Sequence, residues 1–288
     1  MSPTTLRLQP LRSVLRYLPR AIPKKNKNRN LATMAASSHQ QTSALTTDLP
    51  LPSADAAAVV TTTPRLVYGT AWKKDRTAAL VYQALKAGFR GLDTAAQPRH
   101  YAEKLVGDGV RRALAEGLLA RDALFLQTKF TSLAGQDPDD LPYDPAAPLP
   151  AQVHASVASS LTNLAAAADG GGDGGHPYLD CLVLHSPLPT LDDTLAVWQA
   201  LETYVPHRIR HLGIANAPLA VVEALVASPA VRVRPAVVQN RFYRDTAWEG
   251  PLRAFCRARG IVFQSFWTLT GNPRLVRHAV VARLAERG

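Results

Sequence analysis

The stretch Gly88–Gly107, GFRGLDTAAQPRHYAEKLVG, holds a complete change of structure in twenty residues. Gly88 stands where a helix C-terminal cap belongs, after apolar residues at helical spacing from Asp75 to Ala87. The short apolar run GLDTA (91–95) reads as a buried strand carrying Asp93 near its tip. A polar turn then delivers His100 and Tyr101. From Tyr101 to Glu116 the pattern is again helical, with Leu105, Val106, Val110 and Leu114 on one face and Gly117 beyond. A carboxylate at a strand tip has two readings: it caps the following helix, a common use of Asp, or it belongs to a site.

The same alternation continues on both sides. LVYGTA (66–71), ALFLQTKF (123–130), YLDCLVLHSP (178–187), HLGIAN (211–216), PAVVQN (235–240) and IVFQSFW (261–267) read as further strands. Helical patterns cover Gln152 to Ala168, Leu191 to Tyr204, Leu219 to Ala227 and Ala247 to Arg259, and a last helix starts near Arg274. Residues 133–150 are rich in Pro and Asp and read as a loop; GGGDGG (170–175) is low-complexity and flexible. Near-continuous apolar strands separated by helices predict an α/β protein with a parallel sheet. An open dinucleotide-binding sheet should carry GxGxxG after its first strand, and LVYGTAWKK offers one Gly. Asp93, Lys129, His185, Asn216 and Gln239 instead fall at the C-terminal ends of different strands. In a TIM (β/α)8-type barrel those ends converge on one face, which carries the site. The expected fold is such a barrel over residues 63–288, incomplete, with about seven β/α units.

Composition narrows the partners. The chain has 288 residues, 47% hydrophobic, and no apolar run near the roughly 20 residues that span a bilayer. Of the net charge of +11, residues 1–47 supply +8 from five Arg and three Lys without one acid, which leaves +3 for the rest. That describes a basic tail, with no nucleic-acid-binding face and no membrane span. Residues 1–62 are read as a disordered extension outside the fold. Its Arg-rich, acid-free start matches a mitochondrial transit peptide as well as a plain tail, so the expected location is the cytoplasm or, alternatively, the mitochondrial matrix. Cys181 and Cys256 match no metal or redox spacing and read as buried hydrophobes. His207 and His211 straddle the entry to a strand and lack a third ligand, so no metal site is expected.

Converging Asp, Tyr, Lys and His make one chemical proposition. A phenol is a poor acid near neutral pH; a lysine ammonium beside it favours the phenolate, and an aspartate fixes the lysine. A neutral histidine can orient a carbonyl oxygen. Such a set would protonate that oxygen as hydride arrives from a cofactor. Singly, each residue has a plainer reading: Asp93 as a cap, His185 as a structural histidine, Lys129 as a solvated one. Four fitting types at successive strand ends favour the joint reading.

On these residues the sequence resembles the aldo-keto reductases. GTAW (69–72), GLDTA (91–95), YAEKLVG (101–107), LQTKF (126–130), LVLHSP (182–187), LGIAN (212–216), PAVVQN (235–240) and SFWTL (265–269) are similar, in order, to that family's segments. The resemblance implies reduction of a small aldehyde or ketone with NADPH. It implies Tyr101 as general acid, Lys129 and Asp93 as its tuning pair, and His185 as orienter. It places Gly69, Thr70, Asp93, Asn216, Gln239, Phe266, Trp267 and Leu269 at the cofactor, and Trp72, Tyr101 and His185 at the substrate. Trp72, Phe130 and Trp267 are candidate pocket walls. Three features depart from the family: Asp93 and Tyr101 are eight positions apart, a longer spacing; Ala215 stands where a Ser is common; and the chain stops in the helix after the seventh strand. The last departure predicts two unpaired sheet edges, weak NADPH binding and marginal folding. The alternative reading is a catalytically impaired homologue acting as a nucleotide-binding or regulatory partner.

Overall fold

The structure, a computed structural model, describes residues 47–52, 61–165 and 177–286. Its first element is an antiparallel strand pair, β1 (Leu49–Pro50) against β2 (Thr62–Thr63). Seven parallel strands follow: β3 (Val67–Gly69), β4 (Gly91–Asp93), β5 (Phe125–Phe130), β6 (Leu179–Leu184), β7 (Ile209–Ala215), β8 (Val237–Arg241) and β9 (Val262–Phe266). They lie in sequence order, each paired with the next. Helices α1 (Thr77–Lys86), α2 (Glu103–Ala115), α3 (Leu149–Asn163), α4 (Leu191–Glu202), α5 (Leu219–Ala227) and α6 (Gly250–Ala258) alternate with them, and α7 (Pro273–Val276) and α8 (Ala279–Ala285) close the chain. The result is a curled, barrel-type α/β sheet, as the strand pattern predicts.

Strand alternation builds two cores. Leu126, Phe130, Leu182, Leu184, Leu212, Ile214 and Val238 point outward and pack on helix residues such as Val106, Val157 and Trp198. Phe125, Cys181, Val183, Ala215 and Val237 point inward and form the second cluster. Phe130, read above as a pocket wall, is therefore core: it is 1% exposed and packs against Tyr143. The inward positions of β4 and β5 continue upward as Asp93, Gln127 and Lys129, so the strand period itself lifts polar groups to the C-terminal rim.

The boundary of the folded part lies earlier than residue 63. Leu51 is 4% exposed and joins the inward cluster, and its N–H donates to the Thr61 carbonyl at 2.9 Å. His211 of β7 hydrogen-bonds Thr61 Oγ1. The β1–β2 pair thus seals the inside of the sheet at the end remote from Asp93. Its strands are two residues long, too short for an alternating pattern to register. The rest of the extension, and the GGGDGG segment, lie outside the described residues.

Candidate active site

Asp93 and Lys129 meet at the rim of β4 and β5. Lys129 is 2% exposed, and its Nζ donates to both Asp93 carboxylate oxygens at 2.7 Å and to the Thr94 carbonyl at 2.9 Å. All three ammonium donors are thereby used. Burial works against the charge, but Asp93 foremost and then Tyr101 hold the Lys129 pKa above the usual lysine value. Below the pair lies a layer of amides. Gln127 Nε2 donates to Asp93 Oδ1 at 2.7 Å and to Gln264 Oε1 at 2.9 Å, and Gln239 Nε2 donates to Gln264 Oε1 at 3.0 Å. Asp93 is not a helix cap: α2 begins at Glu103, with Ala102 before it.

The long spacer folds compactly. Thr94 N–H and Ala96 N–H continue the β5 ladder, donating to the carbonyls of Gln127 and Lys129 at 3.0 Å each. The chain then turns tightly: His100 N–H and Tyr101 N–H both donate to the Gln97 carbonyl, at 3.0 and 2.9 Å. Gln97 Nε2 pins the turn to the Gly135 carbonyl at 2.5 Å. Extra residues are spent on strand extension and one turn, so Tyr101 stays at the rim. Its ring centroid lies 5.4 Å from Lys129 Nζ and 6.1 Å from the His185 ring, edge-on. Burial raises the Tyr101 pKa; Lys129 opposes this and Asp93 adds to it. The ammonium thus lowers the phenol's pKa as its chemistry requires, but in this site desolvation outweighs it.

His185 follows β6 directly. Its Nδ1 is 2.7 Å from Thr131 Oγ1, and its carbonyl accepts from Asn216 Nδ2 at 2.8 Å. Burial, then the charge of Lys129, then His100, push its pKa down to about 3, so the imidazole is neutral at pH 7.

A cavity of about 620 Å³ opens above these groups, and Trp72, Tyr101, His185, Asn216, Phe266 and Trp267 line it. Three of them, Trp72 (φ 62°), Asn216 (φ 52°) and Trp267 (φ 53°), sit in the left-handed backbone region. Backbone strain of this kind concentrates at functional sites. Other sequence candidates lie elsewhere. Gly69 is exposed at the end of β3. Thr70 is fully buried, its hydroxyl donating to the Asp93 carbonyl at 3.0 Å, which ties β3 to β4. Gln239 is turned down onto Gln264, and Leu269 is 71% exposed and off the cavity wall. Gln97, His100 and Thr131 line the cavity without having been assigned a role. The unusual length of the spacer was the signal for Gln97 and His100; Thr131, directly after β5, had none.

These features have counterparts in known proteins. A sequence model described as the aldo/keto reductase family matches residues 65–278. The chain belongs to that family. It is 30% identical over 261 residues to an NADPH-dependent D-xylose reductase of Meyerozyma guilliermondii, covering 75% of this chain and 72% of that protein. It is 28% identical over 207 residues to an uncharacterized oxidoreductase of Bacillus subtilis, covering 72% of this chain and 63% of that one. Among solved structures it is similar to an aldo-keto reductase of Bombyx mori in complex with NADP, with a TM-score of 0.55 and 27% identity, covering 72% of this chain and 63% of that chain. The chain thus spans under two thirds of the length of the last two relatives.

Proposed function

We propose that the chain carries the carbonyl-reducing site of an NADPH-dependent oxidoreductase, with Tyr101 as the proton donor. The observation that carries this reading is the fully engaged Asp93–Lys129 pair with a buried phenol and a neutral imidazole beside it. The cavity suits the nicotinamide end of such a cofactor in its chemistry: an amide at Asn216 and an aromatic wall at Phe266 and Trp267 border the same space as Tyr101 and His185. NADPH, when bound, supplies the hydride. The names of the xylose reductase and the NADP-bound silkworm enzyme support the same cofactor.

The protein's own groups handle the proton. In the tautomer this chemistry needs, the Thr131 hydroxyl donates to His185 Nδ1, 2.7 Å away, and Nε2–H holds the substrate oxygen. Tyr101, kept protonated by burial, gives its proton to that oxygen as the carbon is reduced. The Lys129 ammonium then faces the new phenolate, and Asp93 keeps the ammonium in place. General acid catalysis is worth roughly 10²–10⁴-fold. Tyr101→Phe should therefore slow NADPH oxidation with 4-nitrobenzaldehyde by at least about a hundredfold. Equal rates in the two proteins would remove Tyr101 from this role.

A further inference from the structure

The turn between Asp93 and Tyr101 places Gln97 and His100 on the cavity wall, and the proton chemistry uses neither. His100 stands beside Tyr101 on the cavity wall. Its ring packs on the Trp72 indole with centroids 4.0 Å apart and planes 36° apart. Its carbonyl accepts the Trp72 N–H at 2.8 Å, and this contact helps hold Trp72 in its left-handed backbone conformation. The loops after β3 and β4 are locked together here, so the imidazole is fixed in place rather than free to swing.

Among the described residues that imidazole has no hydrogen-bond partner. Nδ1 is buried and without a partner, so Nε2 is left as the nitrogen able to bond a ligand. Among the described residues no Asp, Glu, Lys or Arg lines the cavity, so no charged side chain there competes for it. Besides Tyr101 and His185, the polar residues on its wall are Gln97, Thr131, Ser132, Ser186 and Asn216. Gln97 donates to the Gly135 carbonyl, Thr131 bonds the His185 ring, and Ser186 and Asn216 donate to the His185 carbonyl. A hydrocarbon next to His100 would leave it unpaired, whereas an oxygen substituent next to the reacting carbonyl would satisfy it.

We infer that His100 is a specificity-determining residue: it binds an oxygen substituent next to the substrate carbonyl, so the pocket selects α-oxygenated carbonyl compounds over plain alkyl ones. This deepens the reductase reading and rests on it for the position of the carbonyl. The test compares wild type with His100→Phe, which keeps a ring against Trp72 and removes both nitrogens. With glyceraldehyde and propanal, the kcat/KM ratio should fall about tenfold in H100F, the size of one well-placed hydrogen bond, while propanal alone changes less than about twofold. An unchanged ratio overturns the inference. A second readout needs no turnover. The histidine ring ¹⁵N signals absent from H100F should shift with glycerol and not with 1-propanol, the two product alcohols. An equal response, or none, overturns the role of His100. Failure of wild type to reduce either aldehyde overturns the reductase reading separately.

Discussion

Lys129 carries the clearest energetic consequence of any single residue. Its ammonium is buried among groups that satisfy every donor, so removing one partner strands a charge. Breaking a buried pair in that way costs about 3–5 kcal/mol. Lys129→Met should therefore lower the unfolding free energy read from urea titration by that order and abolish reduction, whereas Tyr101→Phe should lose activity with little loss of stability. His185 makes a second prediction, through pH. Its folded pKa, about 3, lies below the ordinary 6.5, so the unfolded chain takes up the proton first. Stability from this group is intact above pH 6.5 and is lost as pH falls toward 3. Between pH 7 and pH 5 the loss is about 2 kcal/mol, and His185→Gln should remove that share of the slope in urea titrations at the two pH values. At this scale the sequence was partly legible. Asp93, Lys129 and His185 stood out because strand ends in a parallel α/β protein carry the site. Gln127 and Gln264 did not, because an interior amide looks like any other polar residue until its partner across the barrel is known.

Elements were legible where their patterns were long. Leu219–Ala227 forms one helix between the residues its apolar spacing gives, and α4 ends within two residues of the expected Tyr204. The α3 helix ends at Asn163 rather than Ala168, and the Asn163 carbonyl faces Gly107 of α2. A Cβ on Gly107 would lie 1.9 Å from the Asn163 carbonyl oxygen, so only glycine fits. Glu103, one turn earlier on α2, is buried and accepts from Thr128 Oγ1 at 2.5 Å, Ser160 Oγ at 2.9 Å and Asn163 Nδ2 at 3.2 Å. The Glu-x-x-Val-Gly run is thus a clamp joining α2, β5 and α3, which no periodicity argument reveals. Gly107→Ala should force these helices apart and cost more than about 3 kcal/mol, the range of severe overpacking, read as a lower melting temperature. Gly117→Ala, at a φ of 69° with open space around it, should cost about 1 kcal/mol through backbone strain alone. If the two variants melt alike, the clamp is not what holds these elements.

Across the whole molecule, burial is uneven in a way that the order of strands explains. Every residue of β5 and β6 is buried, and each of these strands has a neighbour on both sides. Among the described residues β3 and β9 pair on one side only, and most of their residues are half-exposed. A backbone amide exchanges either by global unfolding or by a smaller local opening, and the smaller opening is cheapest where few buried contacts must be broken. β5, which carries Lys129, and β6, which leads into His185, therefore belong to the slow core, while β9, which carries Phe266 and leads into Trp267, belongs to the fast rim. The proton-transfer side of the proposed site would be rigid and its aromatic wall adjustable. Hydrogen exchange followed by mass spectrometry should show amides of β5, β6 and β7 opening at one shared, highest free energy, with β3 and β9 exchanging well before them. Adding NADPH should slow β9 and the residues after it most, because those are the groups that the proposed cofactor contacts would tie down. Uniform protection from β3 to β9 would instead mean that the sheet opens as one unit. The half-exposed strands would then be held by contacts as strong as those of the centre.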